Sequence, residues 1–388
     1  MSIRKYKRNL LCRSAGVIAL ALLISNGASA STESNNDLQK RLEQLEIKVA
    51  EQNEMLELQV EELEQNNEDL STSIDHAMKI SGYVDVEYKI TDQEGKTDGF
   101  RMHHLSLFFT KQVNDNIKFF SEIEFEDAPK FEGADTHEGK IFVEAINFDY
   151  LSSQEMNLRV GRFFTPAGIW SEDHYPPFVA TQERPKHIRK IFPQLVDGAS
   201  VYGTFNLANA YFQYNTFFGN GDSKPLNGHN DENSSKAFGF RGNFIFPIAD
   251  ELHLGFTGYQ DSTDHANGDA DKTALGVHAK LRHGAMTWQA EWANADLNFA
   301  ENSENYERDG YYLQGAYKVN DWLLGGRYDY YDSKSTGDND LVRTSAFVNY
   351  RINENLVLKA EFHHDAYDKT SKEDVNFIVL SIVGYLGQ

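Results

Sequence analysis

Residues 275–292 read LGVHAKLRHGAMTWQAEW. Leu275, Val277, Ala279 and Leu281 alternate with Gly276, His278, Lys280 and Arg282. After Arg282-His283-Gly284, Met286, Trp288, Ala290 and Trp292 alternate with Thr287, Gln289 and Glu291. A period of two sends alternate side chains to opposite faces of a strand, and the glycine-ended tripeptide carries turn chemistry. The stretch is therefore a hairpin with one apolar face and one charged face. Extended to 273–282 and 286–295, each arm reaches the roughly 9–11 residues that a tilted strand needs to cross a bilayer.

The same unit recurs outward in both directions. Leu356, Leu358, Ala360 and Phe362 oppose Val357, Lys359, Glu361 and His363. From residue 79 onward we read sixteen strands. The first eight lie near 80–90, 100–111, 117–125, 140–151, 157–164, 198–207, 209–218 and 236–247. The second eight lie near 252–260, 273–282, 286–295, 309–319, 322–332, 340–352, 356–367 and 374–386. Two are ambiguous: 140–151 places Glu144 among apolar residues, and 374–386 is apolar on both faces.

The connections alternate in length. Short ones carry turn residues, as in 113–116, 248–251, 319–321 and 352–355; their neighbours, Glu126 to Gly139, Asp261 to Asp271 and Asp296 to Asp309, are longer and acidic. An even strand number with tight turns at one end and longer loops at the other is the rule for a transmembrane β-barrel, and a soluble sandwich has no need of it. The expected fold is all-β, a 16-stranded antiparallel transmembrane barrel over residues 79–388, with its short turns periplasmic.

Two segments precede it. Arg4, Lys5, Lys7 and Arg8, the apolar run Ala15 to Ile24, and Ala28-Ser29-Ala30 make residues 1–30 a cleavable signal peptide. Cys12 is the single cysteine, so the mature chain has no disulfide and no thiolate chemistry. Residues 31–78 lack Gly, Pro and aromatic residues, and Leu42, Val49, Leu56, Leu63 and Leu70 fall seven apart. That heptad, with Leu38, Leu45, Gln52, Gln59 and Asn66 in the second register, predicts an α-helical coiled coil and hence a homo-oligomer, expected to be a trimer. The alternative is one solvated amphipathic helix.

The formal charge of −22 argues against nucleic acid as a partner. The aromatic content of 13 % suits girdles at the two membrane interfaces. Lipid and lipopolysaccharide of a Gram-negative outer membrane are the expected surroundings. No cofactor is expected. The acidic loops lack EF-hand spacing. The adjacent pairs His103-His104 and His363-His364 should point to opposite faces of their strands, so no metal site is expected there.

A sixteen-stranded barrel is wide enough for a water-filled channel. The longest connection, Pro166 to Asp197, should set its selectivity. It carries a basic run, Arg184, Lys186, His187, Arg189 and Lys190, in an otherwise acidic chain. Folded into the lumen, these cations would meet a passing solute and favour anions. On the pore face we also place Arg159, Arg241, Lys280, Arg282, Arg327, Arg343 and Lys359, facing the acids Asp85, Glu87, Glu122, Glu124, Glu291, Asp329 and Glu361. Small anionic solutes would then bind at Arg184, Lys186, Arg189, Lys190, Arg159, Arg241, Lys280 and Arg327. The alternative is that the basic run pairs with Glu172, Asp173, Glu183 and wall acids and only pins the loop.

The opening strand Ser81-Gly82-Tyr83-Val84-Asp85, the run Gly161-Arg162-Phe163-Phe164-Thr165-Pro166 with its long loop, and the restart Asp197-Gly198-Ala199-Ser200 resemble the phosphate-selective porin O and P family. The N-terminal heptads resemble those of related trimeric porins that pass dicarboxylates. The resemblance implies sixteen strands, a trimer, and an anion-preferring pore narrowed by the inserted third extracellular loop. Tyr385 would stand in for the aromatic residue that usually ends such chains. An enzyme is not expected, since there is no G-x-S-x-G elbow and no Ser-His-acid set. A structural tether or adhesin is the alternative role.

Overall fold

The computed structural model describes residues 40–41, 43–50, 52–53, 55–57, 59–60 and 77–387, apart from 133–134, 172, 222–234, 266–267, 300–304, 334–339 and 369–371. The signal peptide and the seam residues Leu42, Leu63 and Leu70 lie outside the described residues. Those described between 40 and 60 are α-helical, and Leu45, Val49 and Leu56 are exposed on the single chain.

The rest is one closed antiparallel barrel. Its first half is β1 (Lys79–Thr91), β2 (Gly99–Asn114), β3 (Ile117–Glu132), β4 (Asp135–Leu151), β5 (Asn157–Phe164), β6 (Leu195–Leu207), β7 (Ala210–Gly219) and β8 (Ala237–Phe246). Its second half is β9 (Glu251–His265), β10 (Gly268–His283), β11 (Met286–Phe299), β12 (Tyr306–Val319), β13 (Trp322–Asp332), β14 (Leu341–Asn353), β15 (Leu356–Tyr367) and β16 (Val375–Tyr385). Each strand pairs with its sequence neighbours, and β1 closes on β16 from Tyr83↔Tyr385 to Thr91↔Phe377. Closure leaves no open sheet edge, so each strand has a paired neighbour on both sides.

The period-two pattern sorts the faces. Leu275 and Val277 are 58 % and 52 % exposed on the outside, while His278, the next residue along, is buried. Lys359, Glu361 and His363 are buried inside, and Leu358 and Phe362 face out. Aromatic pairs band both ends: Tyr88 with Phe100 at the long-loop end and Trp322 with Tyr350 at the short-turn end. The short turns use left-handed residues where foreseen, with Asn320 at φ 51° and Gly284 at φ 55°.

The structure departs from the sequence reading in three places. The acidic connections 126–139 and 261–271 are mostly strand: β3 and β4 run to Glu132 and from Asp135, and β9 and β10 run to His265 and from Gly268. Beyond the bilayer both faces of a strand are wet, so ladder pairing continues after the alternation has faded. The ambiguous strand β4 contains a bulge. Glu122 pairs with Ala145 and Ile123 with Val143, leaving Glu144 as the extra residue, so Glu144 and Ala145 are both buried inside. The third departure corrects the histidine argument. Asp85 pairs with His104 and Val86 with Met102, so His103 is an extra residue in β2. Both imidazoles then point inward, to Asp85, at 3.4 Å from His103 Nδ1 and 2.8 Å from His104 Nδ1. His363 and His364 have no bulge between them; His363 faces inward onto Ser345 and Glu361, whereas His364 bonds Asn376.

The apolar inner face of β16 is explained by what it covers. Phe377, Val379 and Val383 are buried, and Lys89 and Arg343 lie over the Phe377 ring at 4.1 and 4.8 Å. Part of the lumen elsewhere is filled by an apolar cluster. Ala167, Ile191 and Phe192 of the long connection pack on Phe163, Phe217, Tyr259, Ala293 and Leu297 of the wall.

Candidate functional site

Residues 165–194, between β5 and β6, enter the barrel and cross it. Three sets of bonds hold them, each joining loop backbone to an inward strand residue.

At the first anchor, Trp170 N–H donates to Glu291 Oε1 at 3.1 Å, and the Tyr312 hydroxyl donates to the same oxygen at 2.8 Å. Arg241 Nε donates to Gly168 O at 3.1 Å, and Gly168 N–H to Thr257 Oγ1 at 3.3 Å. Gly168 has φ +58°, and a Cβ there would lie 1.8 Å from Glu291 Oε2. Both the left-handed backbone and the close approach require glycine.

The second anchor is the densest. Lys359 Nζ, buried, donates to Pro176 O at 2.6 Å, Val179 O at 2.8 Å and Gln182 Oε1 at 3.2 Å. Asn349 Nδ2 donates to Ala180 O at 2.8 Å. Glu361 accepts the Gln182 N–H at 2.6 Å, and Arg327 donates to Glu183 O at 2.8 Å and to the Thr181 hydroxyl. Across the lumen, Tyr175 donates to Glu122 at 3.2 Å and Gln182 to Asp85 at 2.9 Å.

The third anchor is the helical turn Ile188–Ile191. Arg308 donates to Lys190 O at 2.8 Å, and Ile191 sits in the apolar cluster. His187 is buried against Tyr312. Burial, with the Arg327 cation nearby, pulls its imidazole down to about 3.

The predicted cations fall into two groups. Arg327, Arg343 and Lys359 are buried and spend their donors on the loop or on neighbouring acids. Lys186, Lys280 and Arg159 keep 32 %, 32 % and 30 % of their side chains exposed while paired with Asp365, Asp173 and Asp149. Arg184 is half-buried and Lys190 exposed; the side chain of Arg189 lies outside the described residues. Arg241 holds the loop backbone, and Arg282 pairs with Glu251 at the short-turn end.

One cluster joins loop and wall. Glu183 bonds Arg343 at 2.9 Å and Lys89 at 3.2 Å; Arg343 also forks onto Asp365, which Lys186 approaches to 4.0 Å. Three cations against two carboxylates leave one net positive charge. Burial would raise the Glu183 carboxyl, but Arg343, Lys89 and Lys186 hold it well below the ordinary carboxylate range. Sequence reasoning missed Lys89 and Asp365. Strand parity could have found both, since Lys89 continues the inward row of Asp85 and Glu87, and Asp365 that of Glu361 and His363.

Charge is divided around the wall. Asp85, Glu87, Glu122, Glu124 and Glu144 lie on β1, β3 and β4, and Arg159, Arg241 and Lys280 on β5, β8 and β10. In the closed strand order β2 and β10 stand on opposite sides. The loop crosses the lumen between these strands. Beneath it, a cavity of about 400 Å³ is lined by Trp170, Asp173, His253, Lys280 and Arg282 among others.

Comparison with known proteins agrees with this architecture. A family model described as Gram-negative porin matches residues 21–370. An uncharacterized protein of Aquifex aeolicus (strain VF5) is 24 % identical, with 77 % of this chain and 78 % of that protein covered. Three solved structures share the fold at low identity. The anion-selective porin from Comamonas acidovorans is 14 % identical, TM-score 0.62, covering 80 % of this chain and 99 % of that one. In-vitro folded OmpT of Vibrio cholerae, in a trimer form, is 15 % identical, TM-score 0.57, covering 80 % and 99 %. The channel DcaP of Acinetobacter baumannii is 12 % identical, TM-score 0.51, covering 80 % and 97 %.

Proposed function

This chain belongs to the Gram-negative porin family, and from that premise we propose that it is an anion-preferring outer-membrane channel, narrowed by its own inserted loop. The observation that carries the preference is the net positive cluster that joins Glu183 and Lys186 of the loop to Lys89, Arg343 and Asp365 of the wall. Partly exposed Arg184 and Lys186 beside it, with Lys280 on β10 and Arg159 on β5, would offer a small anion cations from both loop and wall. Guanidinium and ammonium groups in that setting suit phosphate and dicarboxylates. Residues 1–30 would direct export, and the heptads of 31–78 would join three chains on the periplasmic side, burying the exposed Leu45, Val49 and Leu56.

The test is the reversal potential of the purified chain in a planar bilayer under a salt gradient. The native chain should be anion-selective. Neutralising Arg184, Lys186, Arg189 and Lys190 together should move the potential toward cations. Identical potentials for the two would refute the role given to the loop.

A further inference from the structure

We propose that the acidic inner wall binds one divalent first-row transition metal ion, of the zinc or nickel type, on Asp85, Glu87, His103 and His104, with Glu124 and Glu126 adjoining. The β2 bulge makes this possible. It inserts one residue so that consecutive histidines share a face, with ring centroids 3.5 Å apart. His103 Nδ1 lies 3.0 Å from Glu87 Oε1 and 3.4 Å from Asp85 Oδ2, and His104 Nδ1 lies 2.8 Å from Asp85 Oδ1. Donors on a tetrahedral ion with bonds of about 2.1 Å stand about 3.4 Å apart. One donor atom each from Asp85, His103 and His104 already lies within 4.8 Å of the others, as do donors from His104, Glu124 and Glu126.

A second observation points to a cation here. Glu124 is fully buried. Its Oε2 accepts from the Tyr83 hydroxyl at 2.8 Å, while Oε1 has no hydrogen-bond partner among the described residues. A buried carboxylate oxygen left unpaired is costly, and a metal ion or its bound water next to His104 would satisfy it. Mixed imidazole and carboxylate donors select zinc, nickel or copper over magnesium and calcium, which prefer all-oxygen sites.

The site is coupled to the loop. Gln182 donates to Asp85 Oδ2 at 2.9 Å, so a ligand of the ion also bonds the segment that crosses the lumen. Two added positive charges on the acidic wall would offset its carboxylates and shift selectivity further toward anions. That last consequence rests on the channel reading; the binding does not.

The test uses the folded full-length chain in detergent, stripped with a chelator and titrated with zinc chloride by calorimetry. The expected result is one ion per chain, with anomalous scattering at the zinc edge placing it beside His103 and His104. The His103→Gln/His104→Gln variant should bind at least tenfold more weakly. Glu124→Gln, which keeps both imidazoles, should weaken binding less. Heat-modified mobility in electrophoresis checks that each variant is folded. Absence of stoichiometric zinc in the native chain, or equal affinity in the folded double-histidine variant, overturns the site. Calcium displacing zinc at equal concentration overturns the assignment to a transition metal. A bound ion that leaves the reversal potential unmoved overturns only the coupling to permeation.

Discussion

Replacing Lys359 by methionine removes the cation that three loop acceptors share while keeping most of the side chain's volume. Pro176 O, Val179 O and Gln182 Oε1 lie 2.6, 2.8 and 3.2 Å from Nζ, in a site where Lys359 is 3 % exposed. Each bond to a charged donor contributes about 1.5–3 kcal/mol net. Part of that sum is returned, because methionine has no charge to desolvate. Asn349, Arg327 and Glu361 also remain to hold the segment. A net loss of about 3 kcal/mol follows, which is roughly a 100-fold rise in the detached population. Native-state hydrogen exchange reads this directly. The Gln182 amide, bonded to Glu361, should lose about two decades of protection. Strand amides of β14 and β15 should keep theirs, and single-channel records should show larger, noisier conductance. Unchanged protection at Gln182 in a folded K359M barrel would falsify the claim that this lysine holds the loop.

Other predictions test the remaining anchors and charges. Glu183→Gln removes one of two carboxylates from a cluster with three cations. At ~10 Å in water one unit charge shifts a monovalent ion by about 0.4 kcal/mol, favouring the anion and disfavouring the cation alike, so reversal potentials should show an anion-to-cation ratio about fourfold higher. Gly168→Ala forces a left-handed alanine against Glu291 at a cost of about 1–3 kcal/mol; loop amides near Trp170 should exchange faster while barrel melting is unchanged. The His187 imidazole, held near 3 against an ordinary 6.5, titrates only once the loop detaches. Docking is therefore fully favoured above pH 6.5 and is lost progressively toward pH 3. Between pH 7 and 5 the detached fraction should grow about 25-fold, read as exchange corrected for intrinsic rate. His187→Leu should abolish that dependence. Glu183 acts with the same sign, but only below its ordinary 4.5.

The alternation in 275–292 and its repeats determined the barrel, its strand count and the wet face of most strands. A bilayer outside and water inside impose opposite chemistries on a period of two, and that constraint is written locally in each strand. Turn positions such as Gly284 and Asn320 were legible for the same reason. What tertiary structure alone decided depends on register and on contacts far apart in sequence. Whether Glu144 or His103 faces inward turns on a bulge, a relation between two strands that neither strand encodes alone. Whether a cation meets water or a loop carbonyl turns on where residues 165–194 lie. Lys359 bonds Pro176 across 183 positions and Arg343 bonds Glu183 across 160. Composition marked those residues as charged and inward, and only the folded loop divided them into the ones that hold it and the ones left to face a solute.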